Sequence, residues 1–196
     1  MNGQQYVRAF IAIELPGAVR RGLWEIGRSL QSGPIRTIKW VPESNMHLTL
    51  KFLGDVPVSQ IPEITSTMQN VASSIRPLNL HVTGPGAFPG PSRPRVIWAG
   101  LGGDTETLVL LATAIDAALS ELGYPRETRP FTPHLTLARV RPEAPAIETR
   151  NLGERLQSAR LPGKLEFVAD GLTLMKSVLR PEGASYFRLS TADFHS

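Results

Sequence analysis

The tetrapeptide His-Leu-Thr-Leu occurs twice, as His47-Leu48-Thr49-Leu50 and as His134-Leu135-Thr136-Leu137, 87 residues apart in a chain of 196. With 4 His and 14 Thr, about 0.3 His-x-Thr matches are expected by chance, yet three are present. The third, His81-Val82-Thr83-Gly84, has no apolar fourth residue. In a β-strand, side chains at i and i+2 share one face, so each repeat sets His and Thr on one side and two Leu on the other. The Leu face belongs under a helix. The His and Thr face is then left for something other than core packing.

The flanks of the two repeats agree as well. Each opens a strand-like run, Leu48 to Leu53 and Leu135 to Val140, and each lies between segments of helical period. Ile61, Ile64, Met68, Val71 and Ile75 mark one helix face; Leu108, Leu111, Ile115, Leu119 and Leu122 mark another, with Asp104 expected as its N-cap and Gly123 past its end. Val19, Leu23, Ile26 and Leu30 mark a third, and Leu152 and Leu156 support a short fourth. Strand-like runs cover Val7 to Leu15, Leu78 to Thr83, Val96 to Leu101, Lys164 to Val168, Leu172 to Leu179 and Tyr186 to Ser190. Gly84 to Pro94 is expected to be a wide hairpin loop. The pattern is mixed α+β with a divergent internal duplication, and residues 1–196 are expected to fold as one bilobal domain.

Two sheets facing each other about a pseudo-two-fold axis would bring both His and both Thr into one cleft. Paired imidazoles suit general acid and base catalysis, because an ordinary pKa near 6.5 lets one be neutral while the other is protonated. Hydroxyls donate to phosphate oxygens, and a nearby guanidinium would stabilise the added charge of a pentacoordinate transition state. Two core strands with satisfied His are the plain structural alternative, and a duplicated tetrapeptide argues against it. A metal site is a second alternative. There is no HExxH pattern, and only Glu43 and Asp55 are carboxylates near either repeat.

Composition narrows the chemistry further. The chain has no Cys, which excludes disulfides, thiolate metal sites and a thiol nucleophile. No apolar run reaches the roughly 20 residues of a membrane span, and Met1 to Gln5 has no positive region like that of a signal peptide. A soluble, cytoplasmic protein is expected. A net charge of +4, with 17 of 21 basic residues Arg, favours an anionic partner, although GC-rich coding would also inflate Arg.

The two motifs and their surroundings resemble the 2H phosphoesterases, specifically the RNA 2',3'-cyclic phosphodiesterase group, also called 2'-5' RNA ligase-like or LigT-like. The resemblance extends over Arg8 to Ile13, Trp40-Val41-Pro42 through Gly54, Phe88-Pro89 to Trp98, Phe131 to Arg139, and Leu174 to Ser177. It implies an α+β fold of two pseudo-symmetric lobes, each an antiparallel sheet with helices on its outer face, the sheets facing across a central cleft. It also implies metal-independent, cofactor-free hydrolysis of RNA or nucleotide 2',3'-cyclic phosphate ends to 2'-phosphates by a monomer. By the same resemblance His47 is the proton donor and His134 the acceptor, Thr49 and Thr136 hold the phosphate, Arg139 binds it, and Phe52 lies near the base. Joining of RNA ends through a 2'-5' bond, and a non-catalytic RNA-binding module, are the alternatives on the same fold.

Strict alternation disagrees with two of these assignments. Phe52 and Arg139 each stand five residues after a motif His and would face away from it, so both need a bulge. By parity Lys51 would face the cleft. His81 could line the cleft wall, His195 is expected in a solvent-exposed tail, and Trp24, Trp40 and Trp98 are expected at the core or its edge. Arg93, Arg95, Arg126 and Arg129 are candidates for a basic rim.

Overall fold

The computed structural model describes residues 5–31, 37–159, 161, 163–181 and 183–195; of Met1 to Gln5, on which the signal-peptide reading rests, residues 1–4 lie outside them. In chain order the elements are β1 (Tyr6–Glu14), α1 (Gly17–Ser29), β2 (Ile38–Trp40), β3 (His47–Pro57), α2 (Ile61–Ala72), β4 (Leu78–Phe88), β5 (Val96–Gly103), α3 (Thr105–Ser120), β6 (His134–Val140), α4 (Ala146–Ser158), β7 (Glu166–Ala169), β8 (Gly171–Arg180) and β9 (Gly183–Asp193). They form two sheets, ordered β3-β1-β8-β9 and β2-β6-β5-β4-β7, with antiparallel pairing throughout.

The two motif strands occupy matching places. β3 pairs with β1, and β6 pairs with β5; beyond them lie β8-β9 in one sheet and β4-β7 in the other. The lobes are nevertheless not the two halves of the sequence. β4, from the first half, sits in the sheet of the second motif, and β8, from the second half, sits beside β1. Two helices are exchanged as well, α1 packing on β6 and α3 on β3, whereas α2 packs on β8 and β9 and α4 on β4. The duplication is therefore interwoven, and neither half can bury its apolar surface without the other.

Alternation makes the core. Leu48, Leu50, Leu135 and Leu137 are all buried, each removing an apolar side chain from water at about 1.5–3 kcal/mol. They share the core with Leu23 and Ile26 of α1, Ile64 and Met68 of α2, Leu111 and Ile115 of α3, and Leu152 of α4.

Three sequence expectations change. The fourth helix runs for 13 residues rather than a short turn. Its only buried side chains besides Gly153 are Leu152 and Leu156, too few to reveal its length, and a Cβ at Gly153 would collide with the Pro91 carbonyl. Of the expected loop Gly84 to Pro94, the first five residues are strand, since β4 continues to Phe88 past an irregularity between Val82 and Pro85, and the hairpin connection to β5 begins at Pro89. Asp104 precedes α3 but makes no side-chain cap; its carboxylate accepts the Asn79 N–H at 2.8 Å and ties the helix to β4.

Candidate active site

Each motif strand carries the same defect. On β3, Ala12 of β1 pairs with Thr49 and Ile11 with Lys51, so Leu50 is the extra residue. On β6, Trp98 of β5 pairs with Thr136 and Ile97 with Ala138, so Leu137 is the extra residue. A bulge at the second Leu places two successive residues inward, and Leu50 with Lys51 and Leu137 with Ala138 are all buried. The next residue then returns to the His face. Phe52, 59% exposed, and Arg139, also exposed, thus lie on the same side as His47 and His134, as the resemblance required and alternation did not.

Lys51 is the corresponding correction. Its side chain does not face the cleft; the residue is 2% exposed, and its ammonium donates to Asp116 of α3 at 2.5 Å and to the Pro125 carbonyl at 2.7 Å. Asp116 also accepts the Glu127 N–H at 3.1 Å. The pair thus fastens the first motif strand to the chain that leads into the second. Burial works to raise the Asp116 pKa, but the Lys51 ammonium and the Glu127 N–H outweigh it and hold the carboxyl below its usual range.

Backbone geometry treats the two His alike. His47 Nδ1 lies 2.7 Å from the Asn45 carbonyl oxygen, and His134 Nδ1 lies 2.7 Å from that of Thr132. A carbonyl only accepts, so each Nδ1 carries the proton and donates, and each Nε2 is the nitrogen free to gain or lose one. Among the described residues neither Nε2 has a protein partner. In the first half the carbonyl is set by a short 3-10 turn over Glu43–Asn45, after which Met46 is extended. In the second, Pro133 biases Thr132 toward extended backbone. Thr49 and Thr136 are half-buried beside their His.

The motif strands also approach one another directly, β3 packing against β6. One connection enforces this: Trp40 of β2 pairs with Ala138 of β6, and the chain then crosses to the other sheet and enters β3 at His47.

Side-chain surroundings differ. Phe10 stacks on His47 with ring centroids 4.7 Å apart and an interplanar angle of 29°, and Tyr186 meets His47 edge-on at 5.1 Å. Phe10 also touches Phe52 at 5.9 Å and Tyr186 at 5.0 Å. This burial lowers the His47 pKa, the bond to Asn45 opposing it. Among the described residues His134 has one aromatic neighbour, Phe88, edge-on at 5.3 Å. Burial raises the Tyr186 pKa, and the charges of Arg139, from the second sheet, and of Arg8, from β1, oppose the rise.

This constellation can be set beside known proteins. A family profile described as the 2'-5' RNA ligase superfamily matches residues 25–180. The chain belongs to the 2'-5' RNA ligase superfamily. An RNA 2',3'-cyclic phosphodiesterase of Methanocaldococcus jannaschii is 34% identical over 181 residues, covering 92% of this chain and 96% of that protein. A crystal structure from Thermus thermophilus superposes with a TM-score of 0.77 at 31% identity, covering 96% of this chain and 98% of that one. Escherichia coli LigT complexed with 3'-AMP shares the fold at a TM-score of 0.77 and 23% identity, covering 98% of this chain and 100% of that one.

Within this 2'-5' RNA ligase fold, Phe10, Phe88 and Tyr186 pack against the motif His, and sequence reasoning did not single them out. Phe10 could have been found, since it stands on β1 within the run that the resemblance covers; Tyr186 could not, because β9 lies at the opposite edge of the sheet from β3 and comes near His47 only where its first residues meet the turn over Glu43–Asn45, Asn45 Nδ2 donating to the Ala184 carbonyl at 2.6 Å. His81 is exposed on β4, where a Cβ on Gly102 would strike its ring. His195 is exposed, its N–H bonded to the Ile75 carbonyl. Trp24 lies under the Arg28 guanidinium at 5.0 Å, Trp40 packs on the core, and Trp98 packs on Phe88. In the expected basic rim, Arg126 is drawn to Asp116 and Arg95 donates to the Arg141 carbonyl, while Arg93 and Arg129 are exposed. Among the described residues no group of three or more His, Cys, Asp or Glu is placed to hold a metal ion, and no helix is long and apolar enough to cross a membrane.

Proposed function

We propose that the protein is a metal-independent RNA 2',3'-cyclic phosphodiesterase that opens terminal 2',3'-cyclic phosphates to 2'-phosphates. The observation that carries the reading is the pair of His-Thr faces on bulged strands, each His with Nδ1 anchored and Nε2 free. The names of relatives at 30–36% identity support it.

In this mechanism a water oxygen attacks phosphorus, and His134 Nε2 takes its proton. The bond from phosphorus to O3' breaks as His47 Nε2–H protonates O3', leaving the phosphate on O2'. Thr49 and Thr136 donate to the non-bridging oxygens, and Arg139 offsets the charge of the pentacoordinate state. Phe52, exposed beside Phe10, provides a face for the base. No cofactor enters, and the enzyme acts as a cytoplasmic monomer on RNA or nucleotide ends.

Incubation with adenosine 2',3'-cyclic phosphate in EDTA tests this reading. A 2'-phosphate product is expected. A 3'-phosphate would reverse the leaving group, loss of activity restored by zinc or manganese would require a metal, and a 2'-5' bond formed from a 5'-hydroxyl RNA without hydrolysis would make the protein a ligase. Saturable nucleotide binding with no turnover would make it a binding module.

A further inference from the structure

The two tyrosines that the sheets and helices half-bury or bury are used differently. Tyr124 is committed, its hydroxyl donating to Gln60 Oε1 at 2.8 Å. Tyr186 is half-buried on β9, with its ring fixed on two sides by Phe10 and His47, yet among the described residues its hydroxyl has no hydrogen-bond partner. A ring held this firmly with an uncommitted donor is an arrangement that folding alone does not require, since a Phe would pack the same contacts. Its setting adds direction. Tyr186 stands within electrostatic reach of two guanidinium groups, Arg139 from the opposite sheet and Arg8 from β1. Cations gathered round a neutral hydroxyl draw an anion to it.

We infer that the Tyr186 hydroxyl is a further substrate-contacting group, donating a hydrogen bond to a non-bridging oxygen of the phosphate that occupies the space between His47 and Arg139. The inference rests on the phosphodiester reading of the site. An ordinary phenol is protonated near neutral pH, and burial raises the Tyr186 pKa further, against the pull of Arg139 and Arg8, so the hydroxyl is a donor there. It also has no counterpart around His134, where Phe88 supplies an edge but no hydroxyl. The phosphate would therefore be held by Thr49 and Thr136 in common, and by Tyr186 only on the His47 side.

Tyr186→Phe isolates the hydroxyl, because the ring contacts persist and no protein hydrogen bond is lost. A hydrogen bond to a charged acceptor predicts a fall in kcat/KM for adenosine 2',3'-cyclic phosphate of about 10- to 100-fold, with the melting temperature unchanged. Affinity for inorganic phosphate, read by calorimetry on the same two proteins, should fall in parallel. If Tyr186→Phe keeps wild-type kcat/KM and phosphate affinity, the inference is overturned and Tyr186 is only a wall for His47. If the wild-type protein does not turn over the cyclic phosphate, the proposed function fails. The phosphate affinities then still decide the role of Tyr186: weaker binding by the variant supports it, and equal binding overturns it.

Discussion

The strands that carry His47 and His134 have the same backbone and different company. Both bulge at the second Leu, both anchor Nδ1 on the carbonyl two residues earlier, and both return the fifth residue to the cleft face. Their side chains diverge at matched places. Where β3 has Lys51 and Phe52, β6 has Ala138 and Arg139; where His47 is enclosed by Phe10 and Tyr186, the aromatic neighbour of His134 among the described residues is Phe88, edge-on. Backbone symmetry supplies two equivalent imidazoles, and side-chain asymmetry gives them different environments. Hydrolysis needs that inequality, because one group must give a proton while the other takes one.

The largest effect expected from this comparison is shared by both halves. His47→Ala and His134→Ala should each lower kcat by about 10²- to 10⁴-fold with the circular dichroism spectrum unchanged. Near-wild-type turnover in either variant would reduce the pair to a single working His.

Next comes Lys51, a buried charge at the place where the other half has Ala138. Removing one partner of a buried ion pair costs about 3–5 kcal/mol, so Lys51→Met should lower the melting temperature by roughly 6–20 °C at about 2–4 °C per kcal/mol. Adding Asp116→Leu should recover part of the loss. Because the Asp116 pKa is depressed in the folded protein, its contribution is present above the ordinary carboxylate range and fades as pH falls through the lower value. The Lys51→Met deficit should therefore shrink in acid, and a deficit independent of pH would show that packing, rather than charge, makes Lys51 matter.

What could be read from the sequence follows a physical division. Periods of 2 and 3.6 located α1 to α4 and, among the described residues, every strand except β2, whose three residues are too few to show a period; the repeat singled out His47, Thr49, His134 and Thr136, because those signals are local. Alternation failed at Lys51, because a bulge is a property of pairing with β1 that no window of β3 contains. It failed in the same way to show that β4 and β8 change sheets. Tyr186 was hidden for the same reason. The resemblance put Phe52 and Arg139 on the His face before any register was known, and the bulges supply the reason.

The fifth residue after each His gives a smaller, divided effect. Arg139→Ala should reduce kcat/KM on cyclic phosphates of every base alike, by about 10- to 100-fold for a charge-assisted contact to the phosphate. Phe52→Ala should weaken KM by roughly 5-fold or more, from a base stacking contribution of about 1–3 kcal/mol, while leaving kcat largely unchanged. Steady-state kinetics with adenosine, guanosine, cytidine and uridine cyclic phosphates separates the two. Equal losses in kcat for both variants would mean that Phe52 shapes the reacting geometry instead of holding the base.

The smallest expected effect is a displacement of pH dependence, and it bears most closely on which His does what. An ordinary His titrates near 6.5, and burial against Phe10 and Tyr186 lowers His47 below that in the free protein. A lowered pKa makes the neutral form dominant at pH 7, yet the donor must carry a proton when substrate is bound. A phosphate anion beside His47 favours the imidazolium and raises the pKa again. If His47 is the donor, NMR titration should place it below 6.5 in the free protein and higher with bound phosphate. The alkaline limb of kcat should then lie at higher pH than that of kcat/KM, since the first reports the complex and the second the free enzyme. If instead the acid limb of kcat/KM follows the His47 titration and the alkaline limb does not, the roles reverse: the enclosed His47 is the acceptor, and the more open His134 the donor.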